Sequence, residues 1–309
     1  MPQYAIPHIR LGSTSFLEPV DYVPGFRHAA GLCEDVSLLV MTVGDHCQYL
    51  ISEEDVREIA RIADGEGISV NIHLPYEHSF ETEDEARRML EDVTKVAERT
   101  APLSPHTFVL HVCFPSLDNV LLGPNPQKLG VTLEQRELTA RALDKIAAMF
   151  PGPEYLAVEN LESLPPDFWD VWVQDSDFSR CMDVGHLWKD GWDPQDFLPS
   201  WLAKTRLIHL HGMEARPKAT VSGEILARTL PETPLRTQLR SLFGPAPRDH
   251  KSLHNMPPSC IDSVMHTLWD AGWQGVLNIE VFHTEDFVRS HETILRSYDR
   301  YLARSNAHA

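Results

Sequence analysis

The sequence has no apolar run of membrane-spanning length. Its opening, Met1-Pro-Gln-Tyr-Ala-Ile6, lacks the basic start and long apolar stretch of a secretory leader. Positive charge is scarce: 27 Lys and Arg stand against 45 Asp and Glu, a formal net charge of −18. A surface that acidic repels nucleic-acid phosphates and anionic lipid, so neither nucleic acid nor membrane is expected as a partner. The five cysteines, Cys33, Cys47, Cys113, Cys181 and Cys260, are scattered and form no Cys-x-x-Cys. That usage fits a reducing cytoplasm rather than a disulfide framework. No Gly-x-Gly-x-x-Gly opens a helix and no Gly-x-x-x-x-Gly-Lys loop is present. An open doubly wound sheet, the alternative architecture, thereby loses its usual nucleotide-binding signature.

What the chain does have is alternation. It is 309 residues long and 42% apolar, enough to bury a sizeable core. Short apolar runs recur at His8–Phe16, Asp35–Val43, Ile68–Pro75, Thr107–Phe114, Tyr155–Glu162, Arg180–Asp183, Arg206–Gly212 and Gly275–Phe282. Between them lie helical patterns. One starts at the cap-like Ser52-Glu-Glu-Asp55 and is stopped by Gly65 and Gly67; others cover about 83–100, 132–150, 192–204, 260–272 and 287–302. Eight strands alternating with helices predict a closed (β/α)8 barrel over a single domain, residues 1–309. One irregularity stands out. Met213–Pro257 is proline-rich without a sustained apolar period, and reads as a long loop insertion after strand seven, over the barrel mouth, with one short helix near Glu224–Leu230.

The strand ends carry the chemistry. Arg180-Cys-Met-Asp183-Val-Gly-His186-Leu-Trp188 takes an apolar run out into an aspartate and then a histidine. As a strand tip and a following loop, Asp183 and His186 can face one cavity as metal ligands; the competing reading is a capping or hydrogen-bonded pair. The other runs end in His73, His111, Glu159, His209 and Glu280. In a barrel these positions converge on one mouth. Imidazoles and carboxylates crowded into an apolar mouth are costly to desolvate, and a metal cluster removes that cost. His73 and His111 also admit the reading of hydrogen-bonded core histidines, and Cys113 that of an inert thiol or a ligand. Glu159, Asp183 and Glu280 are the candidate catalytic carboxylates. Ser13, Thr14, Ser15, His211 and Trp188 are candidate substrate contacts, and Glu162 is expected at the mouth.

This strand-by-strand set resembles the xylose-isomerase-like barrels, particularly the endonuclease IV branch. The resemblance implies metal ligands at His73, His111, Glu159, Asp183, His186, His209 and Glu280. That branch completes its cluster with Asp-x-His-x-x-Leu-Gly-x-Gly. Here Arg248-Asp249-His250-Lys-Ser-Leu253-His254 keeps the histidine and leucine, displaces the aspartate by one position and lacks both glycines. His250 therefore joins the implied ligands, and Asp249 departs from the pattern. Arg10-Leu-Gly-Ser-Thr-Ser-Phe16 and Ile72-His73-Leu-Pro75 further resemble the cobamide-remodelling phosphodiesterases. That likeness implies two or three divalent ions, zinc before manganese or iron, and a corrinoid substrate. The implied reaction is hydrolysis of the nucleotide-loop phosphoester of an adenosylcobamide. A sugar isomerase or epimerase using Glu159 and Glu280, or a non-catalytic corrinoid- or metal-binding barrel, are the alternatives. The sequence leaves the oligomeric state open.

Overall fold

The computed structural model describes residues 2–40, 42–43, 47–48, 50–115, 131–162, 164–216, 233–244 and 247–307. Eight strands close into a parallel barrel: β1 (Arg10–Thr14), β2 (Asp35–Leu39), β3 (Ser69–His73), β4 (Thr107–His111), β5 (Leu156–Glu159), β6 (Ser179–Asp183), β7 (Thr205–Leu210) and β8 (Val276–Ile279). Neighbours in sequence are neighbours in the ring, and β8 pairs with β1. β2 and β6 are buried at every position, as expected of strands covered on both faces.

Helices wrap the barrel: α1 (Tyr22–Leu32), α2 (Glu53–Glu66), α3 (Glu83–Thr100), α4 (Leu133–Ala147), α5 (Val184–Asp190), α6 (Pro234–Phe243), α7 (Pro258–Asp270) and α8 (Thr284–Ala307). Local sequence sets their ends. In α2 the Ser52 hydroxyl accepts from the Asp55 amide at 3.0 Å, and Glu53, Glu54 and Asp55 lie at the positive end of the helix dipole. Gly67 then ends α2 in a left-handed turn, φ 72°, that suits glycine. Gly65, expected to share in stopping the helix, lies inside it.

Register decides which side chains meet inside. Asp183 pairs with His209, Asn278 with both His209 and Gly12, and Gly12 with Asp35, so these residues share the inward parity. One layer below the strand ends, Val109, Ala157, Cys181, Leu207 and Val276 form a closed apolar cluster. The first four stand two residues before His111, Glu159, Asp183 and His209, and so plug the barrel beneath them. On the opposite arc the interior is polar: the Asp35 carboxylate accepts from Asn71 Nδ2 at 2.6 Å and lies 2.8 Å from His106 Nε2.

Three expectations need correction. β2 stops at Leu39 instead of Val43, because Thr42–Val43 pairs antiparallel with Cys47–Gln48 outside the barrel. The helix expected at 192–204 is broken into Pro194–Asp196, Leu198–Trp201 and Leu202–Lys204. Proline fits only a helix's first turn, and Pro194 and Pro199 each restart one. The stretch 213–257 contains more structure than a loop. Gly212–Glu214 pairs antiparallel with Arg248–Lys251, and α6 begins at Thr233, whose hydroxyl accepts from the Arg236 amide at 3.0 Å. The helix expected near Glu224–Leu230 lies outside the described residues.

Candidate metal centre

Every expected ligand from a strand end reaches the same mouth. His73 and His111 end β3 and β4, and their Nε2 atoms lie 3.1 Å apart. Glu159, ending β5, sits between two sets of neighbours. Its Oε2 is 3.1 Å from His111 Nε2 and 3.6 Å from His73 Nε2, while its Oε1 is 3.1 Å from His209 Nδ1. Glu280, just past β8, brings Oε2 to 3.0 Å from the same His209 nitrogen. Asp183 Oδ2 lies 3.8 Å from His209 Nδ1 and 3.5 Å from His186 Nδ1. Glu159, Asp183, His209 and Glu280 are all buried.

His186 was expected in a loop; it stands instead in the first turn of α5. Asp183 caps that helix, its Oδ1 accepting from the His186 amide at 2.6 Å. The capping reading of this pair is met on Oδ1, which leaves Oδ2 as the oxygen that a metal ion would use. His250 arrives on the Arg248–Lys251 ribbon in left-handed backbone, φ 49°, and its Nδ1 is 3.6 Å from Glu280 Oε2. Asp249 lies by distance in a separate group with Glu162 and His186. Lys189 Nζ donates to Asp249 and also to Glu162 at 2.9 Å, so its ammonium offsets one of the two negative charges and occupies both carboxylates.

The residues fit divalent ions on three counts. The side chains fall into groups whose donor atoms lie within 4.8 Å of one another: His73, His111 and Glu159; Glu159, Asp183, His209 and Glu280; and His186, His211 and His250. Glu159 belongs to the first two and is placed to bridge them. Next, Asp183 Oδ2, His209 Nε2 and Glu280 Oε2 are buried without an aligned hydrogen bond, and orphaned buried carboxylate oxygens are costly. Last, the imidazoles are pre-oriented. His73 Nδ1 faces the Leu74 carbonyl at 3.0 Å, His186 Nδ1 the Asn160 carbonyl at 3.1 Å and His250 Nδ1 the Glu280 carbonyl at 3.2 Å. A carbonyl only accepts, so each Nδ1 holds a proton and each Nε2 is the nitrogen left to face an ion, the arrangement that outer hydrogen bonds impose on metal-binding histidines.

The mouth opens into a cavity of about 380 Å³. Ligands line one side. Leu39, Tyr76, Val112, Phe114, Leu161 and Phe282 form most of the other, and no lysine or arginine is among the described lining residues. Glu162 lines the cavity as expected. Tyr76 and Phe282 are 42% and 38% exposed, unusual for large rings, and they flank His111 and His250 at centroid distances of 5.3 Å each.

Of the expected substrate contacts Ser13, Thr14, Ser15, His211 and Trp188, none is among the described residues that line this cavity. Ser13 has the outward parity of β1 and packs under the helices, whereas Thr14 points inward but donates its hydroxyl to the Val281 carbonyl at 3.0 Å. Ser15 is buried, with its carbonyl against Gly25 of α1. Trp188 is core, 1% exposed, and His211 is fully buried behind Asp183. Tyr76, which the sequence reading did not single out, lies three residues after the candidate ligand His73, just past Pro75.

A closed parallel barrel with buried histidine–carboxylate groups at the carboxyl ends of its strands is a barrel built around a site that could hold metal ions. The chain belongs to the xylose isomerase-like TIM barrel family, whose profile matches residues 37–301. No curated protein matches it. Among solved structures it is similar to a D-tagatose 3-epimerase-like protein, with TM-score 0.66 and 15% identity over 96% of this chain and 100% of that one. It is also similar to a xylose isomerase domain protein from Planctomyces limnophilus, with TM-score 0.62 and 12% identity over 98% and 99%. A 3-keto-D-glucoside 4-epimerase from E. coli gives TM-score 0.57 and 12% identity over 94% and 99%. At such identities the likeness is one of fold.

Proposed function

We propose that the chain is a metal-dependent hydrolase that cleaves the nucleotide-loop phosphoester of an adenosylcobamide. The observation that carries the reading is Glu159, whose two oxygens face two separate ligand groups, one with His73 and His111 and one with Asp183, His209 and Glu280. Paired sites of that kind suit in-line displacement at phosphorus, where both the attacking and the leaving oxygen need stabilising. When bound, the ions would supply Lewis-acid polarisation of the phosphoester and neutralise its charge.

The protein's own residues do the rest. His73, His186 and His250 are oriented by backbone carbonyls on Nδ1 so that Nε2 faces the mouth. Glu162, at the cavity edge, is oriented by Lys189; burial opposes its charge, but His186 and Lys189 outweigh that and hold its carboxyl well below the ordinary carboxylate range, so it stays ionised. The absence of lysine and arginine from the described lining leaves phosphate recognition to the ions and imidazoles. The apolar wall from Leu39 to Phe282 supports a substrate with a large apolar body, which a free sugar does not have.

A second reading is favoured by one specific group. Glu159, Asp183, His209 and Glu280 by themselves make a single-ion site flanked by two glutamates, and two of the similar structures are named as an epimerase or epimerase-like. A glutamate pair of this kind suits proton shuttling on a ketose. Mass analysis of products separates the two readings. Incubation with an adenosylated cobamide should yield a riboside and a cobinamide-phosphate product. No cleavage, together with epimerisation of a free ketose, would overturn the proposal in favour of the second reading.

A further inference from the structure

His211 belongs by distance to a three-imidazole group with His186 and His250, yet its hydrogen bonds run opposite to theirs. The backbone N–H of His250 donates to His211 Nδ1 at 3.1 Å. An amide hydrogen is fixed in its peptide plane, so the nitrogen it meets must offer a lone pair. The Gly212 carbonyl, 3.3 Å from the same nitrogen, competes for a proton there, but the amide is nearer. The neutral ring therefore carries its hydrogen on Nε2. That nitrogen lies 3.3 Å from Asp183 Oδ1, without an aligned hydrogen bond.

From this geometry we infer that His211 is a positioning residue for the ligand Asp183 and is not itself a ligand. Asp183 Oδ1 accepts from the His186 amide and lies 3.3 Å from His211 Nε2, a contact that is close but not an aligned hydrogen bond, while Oδ2 has no hydrogen-bond partner among the described residues. The carboxylate is thus turned so that one oxygen is held by protein and the other faces the mouth. Two features of the chain exist to keep the ring there. At Gly185 a Cβ would lie 2.1 Å from His211 Cε1, so only glycine lets α5 pass over the ring. His250 accepts a left-handed backbone, which costs strain in a residue other than glycine and delivers its amide to Nδ1. The excursion after β7 is coupled to the centre through this chain of three residues: His250 amide, His211 ring, Asp183 carboxylate.

The inference rests on Asp183 being a metal ligand, and its test is arranged to fail separately from that reading. Two-bond proton–nitrogen spectra of histidine-labelled protein report which ring nitrogen is protonated, with no ion and then with zinc added. His211 should show a bare Nδ1 and a protonated Nε2 in both states. A proton on Nδ1 in the metal-free chain, or an Nε2 that takes on a zinc-bound shift, would overturn the inference. The metal-free spectrum decides the matter even if the protein binds no zinc, an outcome that would sink the metal-centre reading instead. His211→Gln keeps an N–H donor near Asp183. It should hold the full ion complement with zinc affinity reduced by roughly 10–100-fold, as for other outer partners of metal ligands. Loss of one ion per chain, or an affinity equal to that of the unaltered protein, would contradict the assignment. If His211→Gln fails to fold, the spectrum of the unaltered chain still decides.

Discussion

Glu159 Oε2 lies 3.1 Å from His111 Nε2, across the β4–β5 pair, which leaves Oε1 facing β7. One carboxylate is thereby shared between two halves of the mouth. If Glu159 bridges two ions, Glu159→Gln should remove more metal than His186→Ala and lower turnover by roughly 100-fold or more, since such a bridge supplies several kcal/mol. Metal content and kcat of the two variants check this. Equal losses from both would show that Glu159 serves one ion only.

Metal loading should release protons. In the metal-free chain burial disfavours a charged His186, but Asp183, Glu162 and Glu159 outweigh it and raise its pKa to about 10. His209 is likewise raised well above its ordinary value, its neighbours Cys181, Glu280 and Glu159 prevailing over burial. His186 is thus protonated at neutral pH until an ion displaces the proton. Zinc added at pH 7 should release about one proton per imidazole engaged, and affinity should rise with pH. The metal-free chain should show the matching trend. The stability contributed by His186 is complete below its unfolded pKa and is lost as pH rises through about 10. Zinc binding without proton release would contradict the protonated metal-free site.

Tyr76 and Phe282 should govern affinity for the substrate body rather than metal. Tyr76→Ala or Phe282→Ala should raise KM by roughly 10-fold, the loss of about 1–2 kcal/mol of ring contact, with metal content unchanged. Steady-state kinetics beside elemental analysis tests it. An unaltered KM in both variants would mean that the substrate does not use this wall.

Duplex DNA should not bind usefully at physiological salt. With a net charge of −18 the chain has little cationic surface with which to displace counterions. About micromolar affinity for a duplex, falling steeply with added salt, would reverse that expectation.

Much of the barrel was legible because its strands are short apolar runs that end in charge. Val109 to His111, Ala157 to Glu159 and Cys181 to Asp183 each step from apolar plug to ligand within one inward repeat. What misled was parity and burial. Ser13 and Thr14 are adjacent in sequence but face opposite sides of β1, and a hydroxyl run carries no periodic signal to tell them apart. Trp188 sits two residues after His186, yet the short helix α5 turns it into the core, and seven residues are too few to leave a clear pattern. The ribbon that brings His250 to the mouth pairs Gly212–Glu214 with residues more than thirty positions on, and a contact so distant in sequence shows only in the folded chain. His211 looked like a contact for substrate; only the direction of the His250 amide shows which way its ring is wired.

The central claim, that Glu159 joins two ion sites in one centre, is tested most directly by the metal-to-protein ratio of the native chain purified without chelator. The account predicts about two or more divalent ions per chain. A ratio of one would reduce the centre to the Glu159–Asp183–His209–Glu280 group and favour the sugar reading, and a fully active chain without metal would contradict the account altogether.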